Sequence, residues 1–431
     1  MPQPESADFA AWLKRQRWFG GKEAEIARVR VVDEASLGGL SLLALEVSYR
    51  EGRPAELYLL PQRPGSEEAL DEESGRAILE VLRRGLCLRT RAGRLRGERL
   101  DGPESALDAL PERPAVRQLS SEQSNTSLVF GEAVILKLIR KLQRGKNPEL
   151  EMGEVLARRG FRGAPALLGA LSLEGEVEAT AGVAHRFLQV DADGWSYVLE
   201  AFTRDPAPGA ALLGEIRELG ARVGELHMAL ADPDDPAFAP EPLRASDLRR
   251  WTESLLGDLE ETLRLAAAKV PGLSARAGRL RERIRRLATA APGGVRLRQH
   301  GDLHLGQVLR CSGRWLIFDF EGEPARTLAE RREKHSPCKD IAGMLRSFSY
   351  AAAAAERRGA VPGDRAGPAG KAFLEGYRST ARALLPEDEE AGRILLDSLV
   401  LEKLLYELRY EVGHRPDWVE IPARDLLREE A

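Results

Sequence analysis

This sequence of 431 residues is poor in the features that mark several protein classes. Cysteine occurs only three times, at Cys87, Cys311 and Cys338, far apart and without CxxC spacing. Neither a disulfide framework nor a zinc ribbon is expected. No apolar run approaches the ~20 residues that span a bilayer, and Met1 to Phe9 is polar, without the apolar core of a signal peptide. A cytoplasmic protein that does not engage membranes is the expectation. One-sided charge is also missing. The formal net charge is −4, so nothing global argues for a nucleic-acid partner.

What is present suffices for packed interiors, with 43% apolar and 31% charged residues. The length exceeds one ordinary core and predicts two or three domains. Residues 1–100 open on the Trp- and Arg-rich segment Trp12–Lys22. Strand-like runs follow at Val29–Val32, Leu42–Tyr49 and Glu56–Pro61, then a helical pattern over Ala77–Arg84. This is a small α+β unit. Residues 101–190 begin with a proline-rich stretch to Pro114 that reads as a linker. Strands are predicted at Ala115–Leu119, Thr126–Phe130 and Ala133–Ile139, the last two joined by a hairpin at Gly131-Glu132. Asn147-Pro148-Glu149 starts a helix. Residues 191–431 are mostly helical, with apolar residues at three- and four-residue spacing, as in Leu395, Leu399, Leu404 and Leu408. A β-rich island from about Val295 to Phe320 interrupts the helices, and Ala351–Ala355 is expected on a helix surface. Two lobes of unlike composition suggest a cleft that binds ligand.

The island carries the chemistry: His300-Gly301-Asp302-Leu303-His304-Leu305-Gly306-Gln307, then the apolar run Trp315–Phe318 and Asp319-Phe320-Glu321-Gly322. Phosphoryl transfer needs a carboxylate that orients the acceptor hydroxyl and takes its proton, and oxygen ligands that hold Mg²⁺ against the phosphates. Kinases use H-R-D-L-x-x-x-N and D-F-G for these tasks. Here Asp302 is followed five residues later by Gln307, which offers the same amide oxygen as Asn. Asp319 would emerge at the end of a buried strand, where a carboxylate needs a partner such as a metal ion. Asp302 is thus the candidate base, and Gln307, Asp319 and Glu321 are candidate metal ligands. His300 and His304 as a transition-metal pair, or Asp319 and Glu321 as surface acids or a glycosidase pair, remain alternatives.

Upstream, Lys137 shares a strand face with Ile135 and Ile139 and needs a partner. A nucleotide phosphate would serve. Glu151 is the preferred ion-pair partner, with Glu149 and Glu154 as rivals. No glycine-rich loop precedes Lys137. The segment Gln123-Ser124-Asn125-Thr126-Ser127 instead offers hydroxyls and N–H groups to phosphate oxygens, or is simply a polar turn.

On these residues, together with Trp12–Lys22, Asn147–Glu151, Asp319–Arg326, Asp340–Tyr350 and Arg415–Pro422, the chain resembles the bacterial maltokinases. These belong to the aminoglycoside-phosphotransferase-like branch of the kinase fold. The resemblance spans nearly the whole chain. It implies an α+β, bilobal protein-kinase-like fold: a small N-terminal α+β cap domain over 1–100, an ATP-clamping N-lobe over 101–190, and a mostly helical C-lobe over 191–431. It implies ATP and Mg²⁺ as cofactors and maltose as acceptor, giving maltose 1-phosphate for α-glucan and glycogen synthesis. By the same resemblance Asp302 is the base, Gln307, Asp319 and Glu321 face the metal, and Lys137 meets the phosphates with Glu151 paired to it. Adenine is expected near a hinge at His185–Gln189. His300, Asp340 and Arg346 are expected on the sugar side, unless Arg346 pairs with Asp340 as structure. Tyr410 and Trp418 offer aromatic faces to a glucosyl ring, and His227 is expected to be structural. Trehalose synthase is a candidate partner, because related domains occur fused to it.

The nearest rival reading is a glucosamine kinase, which looks similar around Asp340, Met344 and Arg346. The Glu321-Gly322-Glu323-Pro324 run favours maltokinase. An aminoglycoside kinase would need a strongly acidic groove that the sequence does not reveal. A pseudokinase or sugar-sensing binding module would be expected to have lost one of Lys137, Asp302, Gln307 and Asp319.

Overall fold

A computed structural model of the chain describes residues 7–50, 52–63, 70–100, 105–119, 125–323 and 326–427. The chain divides into two compact units, Met1–Arg158 with Pro165–Gln189, and Arg159–Ala164 with Val190–Ala431.

The first unit runs α1 (Ala7–Arg15), β1 (Ile26–Leu37), β2 (Leu40–Tyr49), β3 (Glu56–Gln62), α2 (Glu72–Arg83), β4 (Cys87–Arg89), β5 (Gly93–Arg99), α3 (Ala106–Ala109), β6 (Val116–Gln118), β7 (Thr126–Phe130), β8 (Val134–Leu138), β9 (Lys141–Leu142), α4 (Pro148–Arg158), β10 (Leu167–Gly175) and β11 (Ala179–Arg186). They form two antiparallel sheets, ordered β1-β2-β3-β9 and β4-β5-β10-β11-β8-β7-β6. The hairpin between β7 and β8 falls where expected. Gly131 and Glu132 both have φ of 54°, and Ala133 N donates to Phe130 O. Such a turn matches the twist of its strands. Helix α2 starts five residues before the expected Ala77, because the Asp71 side chain caps it by accepting from Ser74 N. The proline-rich stretch is not a free linker. Leu107 and Leu110 are buried in a core that also takes Leu42, Leu59, Leu136 and Leu171. β5 pairs with β10 across the expected boundary near residue 100, so that boundary lies within one sheet and one core.

The second unit runs β12 (Ala192–Asp193), α5 (Gly194–Arg204), α6 (Ala210–Leu230), β13 (Glu241–Pro242), α7 (Ala245–Ala266), α8 (Leu273–Thr289), β14 (Val295–Arg296), β15 (Val308–Cys311), β16 (Arg314–Ile317), α9 (Leu328–Arg331), α10 (Cys338–Arg357), α11 (Ala366–Ala381), α12 (Glu389–His414) and α13 (Glu420–Leu427). Helix α10 packs against α5, α11 and α12. The alanines 351–355 lie on it and are buried, contrary to the expected surface placement. Small side chains are what several helices closing on one another can accommodate. The β island supplies β15 and β16 to the small sheet β12-β15-β16 and β14 to the pair β13-β14. No helix among the described residues is long and apolar enough to cross a membrane.

Candidate active site

Two loops of the second unit are clamped together by short-range chemistry. β16 is buried at Trp315, Leu316 and Ile317, and the chain leaves it through Asp319, whose φ is 63°. A non-glycine residue in the left-handed region is uncommon and marks a position held by its surroundings. The loop 299–307 is anchored by buried Leu303 and Leu305 and turns at Gly301, where φ is 84°. The His300 ring donates from Nε2 to Phe318 O at 2.9 Å, joining this loop to the residue before Asp319. Gln307 Nε2 donates to Asp319 Oδ2 at 3.2 Å.

Helix α10 supplies the rest of the clamp. Asp340 Oδ2 accepts from His300 N and Oδ1 from Gly301 N, each at 2.9 Å. His227 Nε2 meets the same carboxylate at 3.0 Å, and its Nδ1 meets the Tyr377 hydroxyl at 2.9 Å. Burial alone would raise the Asp340 pKa. The hydrogen bond and charge of His227, with His300 and Gly301 N–H, outweigh burial and hold it below the ordinary value. One turn on, Gly343 lets the helix backbone approach the loop, since a Cβ there would stand 2.3 Å from Leu303 O. Ser347 Oγ accepts from Leu305 N at 3.0 Å.

This geometry corrects three expected sugar contacts. His300 and Asp340 are each 1% exposed, and their polar atoms are taken up in positioning the loop. Arg346 is 3% exposed and its guanidinium is engaged by acids other than Asp340. Its Nε lies 3.0 Å from Glu407 and a terminal nitrogen 2.6 Å from Asp425, tying α10 to α12 and α13. The structural expectation for His227 holds.

Asp302 borders a cavity of about 550 Å³. Trp195, Tyr350, Tyr406, Tyr410 and Trp418 also line it, so the two expected aromatics are there with three more. Among the described residues, each carboxylate lining the cavity has a cation. Lys403 Nζ is 3.1 Å from Asp302 Oδ1. Arg346 holds Glu407, and Arg415 holds Glu411 at 2.6 and 2.9 Å. His304 also lines the cavity. Burial lowers its pKa, and its Nδ1 accepts from Gly306 N, which leaves Nε2–H as a donor. Lys403, Tyr406, Glu407 and Glu411 were not anticipated. Their signal is a polar and aromatic stripe, 403-406-407-410-411, at helical spacing beside the leucine stripe of α12.

The donors available to a metal are hard oxygens: the Gln307 amide oxygen, freed by the bond from Nε2, and the Asp319 and Glu321 carboxylates, which approach within 4.8 Å of one another. Such a set fits Mg²⁺.

In the first unit, Lys137 lies on β8 and donates to Glu149 Oε2 at 3.0 Å. The acid on Lys137 is therefore Glu149, not the expected Glu151. Glu149 lies on the buried face of α4, and two residues further on the helix has turned about 200°, where Glu151 is only half-buried. Glu154 pairs with Lys146. Of the expected phosphate segment, Gln123 and Ser124 lie outside the described residues. Asn125 is 9% exposed. Thr126 and Ser127 belong to buried β7, and Thr126 Oγ1 accepts from Arg140 at 2.8 Å, so these two are strand rather than an open cradle.

Comparison with known proteins gives consistent matches. Residues 12–85 match the maltokinase N-terminal cap domain, and residues 115–322 match the phosphotransferase enzyme family. A glucosamine kinase of Mycolicibacterium smegmatis is 31% identical over 320 residues, covering 71% of this chain and 77% of the relative. One from Streptacidiphilus jiangxiensis is 30% identical over 342 residues, covering 73% and 74%. A solved glucosamine kinase superposes with a TM-score of 0.72 at 24% identity, covering 94% of both chains. Another, in complex with glucosamine, ADP and inorganic phosphate, gives 0.70 at 24% identity, covering 94% and 96%. The expected bilobal α+β kinase-like fold with an N-terminal cap is thus borne out.

Proposed function

We propose that this chain, which belongs to the phosphotransferase enzyme family and carries the maltokinase-type N-terminal cap, transfers the γ-phosphate of ATP to the anomeric hydroxyl of maltose. The observation that carries this reading is the cavity beside Asp302. Its aromatic walls suit the apolar faces of glucosyl rings, and its volume lies in the usual range for small-molecule sites. Its carboxylates are already neutralised by Lys403, Arg346 and Arg415. A neutral disaccharide fits such a lining better than an ammonium sugar does.

In the reaction the acceptor oxygen forms a bond to the γ-phosphorus while the bond to the ADP oxygen breaks. Asp302 orients the hydroxyl and collects its proton, and the anomeric hydroxyl, more acidic than an ordinary alcohol, lowers the basicity required. Lys137, steadied by Glu149, holds phosphate oxygens. Mg²⁺, when bound to Gln307, Asp319 and Glu321, offsets phosphate charge. Maltose 1-phosphate would feed α-glucan synthesis, with a trehalose synthase as the candidate partner.

A glucosamine kinase is the second reading, favoured by the names of the two relatives at 30–31% identity. ADP release is measured with maltose, glucose, glucosamine and a sugar-free blank. Maltose-dependent release is expected, with the phosphate on the anomeric carbon by phosphorus NMR. Release with glucosamine alone replaces the first reading by the second. No release above the blank with any of the sugars removes both. Asp302→Asn is expected to lower turnover by roughly 10²–10⁴-fold and to leave ATP affinity within about threefold. A parallel loss of ATP affinity would contradict its role as base.

A further inference from the structure

We propose that Lys403 is a positioning residue for the transfer: it holds Asp302 by Oδ1 so that Oδ2 is left to the acceptor hydroxyl, and it ties that carboxylate to the segment carrying Asp319 and Glu321.

The contact joins positions 101 residues apart, and α12 brings them together. Lys403 Nζ lies 3.1 Å from Asp302 Oδ1 and 3.5 Å from Glu323 Oε1, two residues beyond Glu321. It stands 5.0 Å from the ring centre of Tyr406, one turn along α12. The three charged side chains are only 20%, 22% and 11% exposed, so solvent screens them weakly. Asp302, Lys403 and Tyr406 border both the sugar-sized cavity and a second one of about 50 Å³, which places them in the wall between the two.

A carboxylate rotates easily about its last torsion, and its two oxygens are equivalent until something distinguishes them. The ammonium does so, engaging Oδ1 of a carboxylate that borders the cavity and leaving Oδ2 to another partner. Lys403 acts as a fixed charge rather than as a proton carrier. Burial alone would lower its pKa, but the charges of Asp302 and Glu323 outweigh burial and raise it above the ordinary lysine value. Glu323 extends the contact, because the same ammonium couples the loop that presents the base to the loop that presents the metal ligands.

The inference rests on Asp302 as the proton acceptor, and the test separates the two claims. Steady-state rates are measured for Lys403→Met, Lys403→Arg, Asp302→Asn and the Asp302→Asn/Lys403→Met double variant, with whichever sugar the unmodified chain uses. Misplacing a reacting group by about 1 Å costs roughly 100-fold, so Lys403→Met is expected to lower kcat by about 100-fold with KM for ATP within about twofold. Lys403→Arg, which keeps charge and donors, is expected to recover at least about a tenth of the rate. In the Asp302→Asn background Lys403→Met is expected to change the residual rate less than about twofold, because the oxygen it positions is gone. Folding is read separately from the thermal unfolding midpoint, and Lys403→Gln carries the test if Lys403→Met is unfolded at the assay temperature. Unchanged kcat in the single variant, or an undiminished loss in the Asp302→Asn background, overturns the inference. Full turnover by Asp302→Asn overturns the underlying reading of the base instead.

Discussion

Replacing Asp340 by Asn separates a loop-positioning role from a sugar contact. The carboxylate accepts three hydrogen bonds, from Gly301 N at one oxygen and from His300 N and His227 Nε2 at the other. Asn keeps the shape but turns one acceptor into an NH₂ donor. With its oxygen retained toward His300 and His227, it faces Gly301 N–H donor to donor. An unsatisfied buried N–H costs about 1–3 kcal/mol, and a charge-assisted bond reduced to a neutral one loses roughly another 1 kcal/mol. The expected loss is about 2–4 kcal/mol. At about 2–4 °C per kcal/mol for a unit of this size, the unfolding midpoint by calorimetry falls by about 10 °C. kcat falls as the loop loses its anchor, while KM for sugar stays within about threefold. The difference from the unmodified chain also depends on pH. The folded-state pKa of Asp340 lies below the unfolded value of about 3.9, so the folded chain binds fewer protons between the two. The Asp340 contribution is complete above the unfolded value and disappears as pH falls through the folded one, so the midpoint gap is wide at pH 7 and narrows below about pH 4. A midpoint within 2 °C of the unmodified chain, with sugar KM raised tenfold or more at full kcat, would refute the positioning role.

Glu149→Gln removes the charge that steadies Lys137 and is expected to raise KM for ATP by roughly tenfold, whereas Glu151→Gln changes it less than about twofold. A larger effect at Glu151 would return the pairing to the residue first expected. Gly343→Ala places a methyl where only 2.3 Å separates it from Leu303 O, so the helix or the loop must move. It is expected to destabilise by about 1–3 kcal/mol and to lower kcat at least tenfold. A rate within a factor of two would show that the close approach of α10 does not position Asp302.

The candidate residues of the loops could be picked out from local order. The five-residue interval from Asp302 to Gln307 and the apolar strand that ends at Asp319 are short-range features. Backbone preferences and strand burial act over the same few residues. The aromatic lining of the cavity was legible in part, through Tyr410 and Trp418, because aromatic residues near the end of a helical lobe stand out in composition. Their neighbours Tyr406, Glu407 and Glu411 share the same helical stripe. That stripe was hidden beside the leucines only because both have the same period. The choice of Glu151 over Glu149 failed for a related reason. A helix start is written in its capping residues, but the face a helix buries depends on what it packs against.

By itself the sequence determined the reaction class and singled out the candidate base, the candidate oxygen donors for a metal and the order of many elements, because each rests on residues close together in the chain. Tertiary structure alone decided that Asp340, His300 and Arg346 are internal anchors. It alone decided that Lys403 reaches Asp302 across 101 positions, and that β5 joins the sheet beyond the proline-rich stretch. Whether a buried charge meets a substrate or a backbone N–H depends on which elements pack around it, and local sequence does not carry that information.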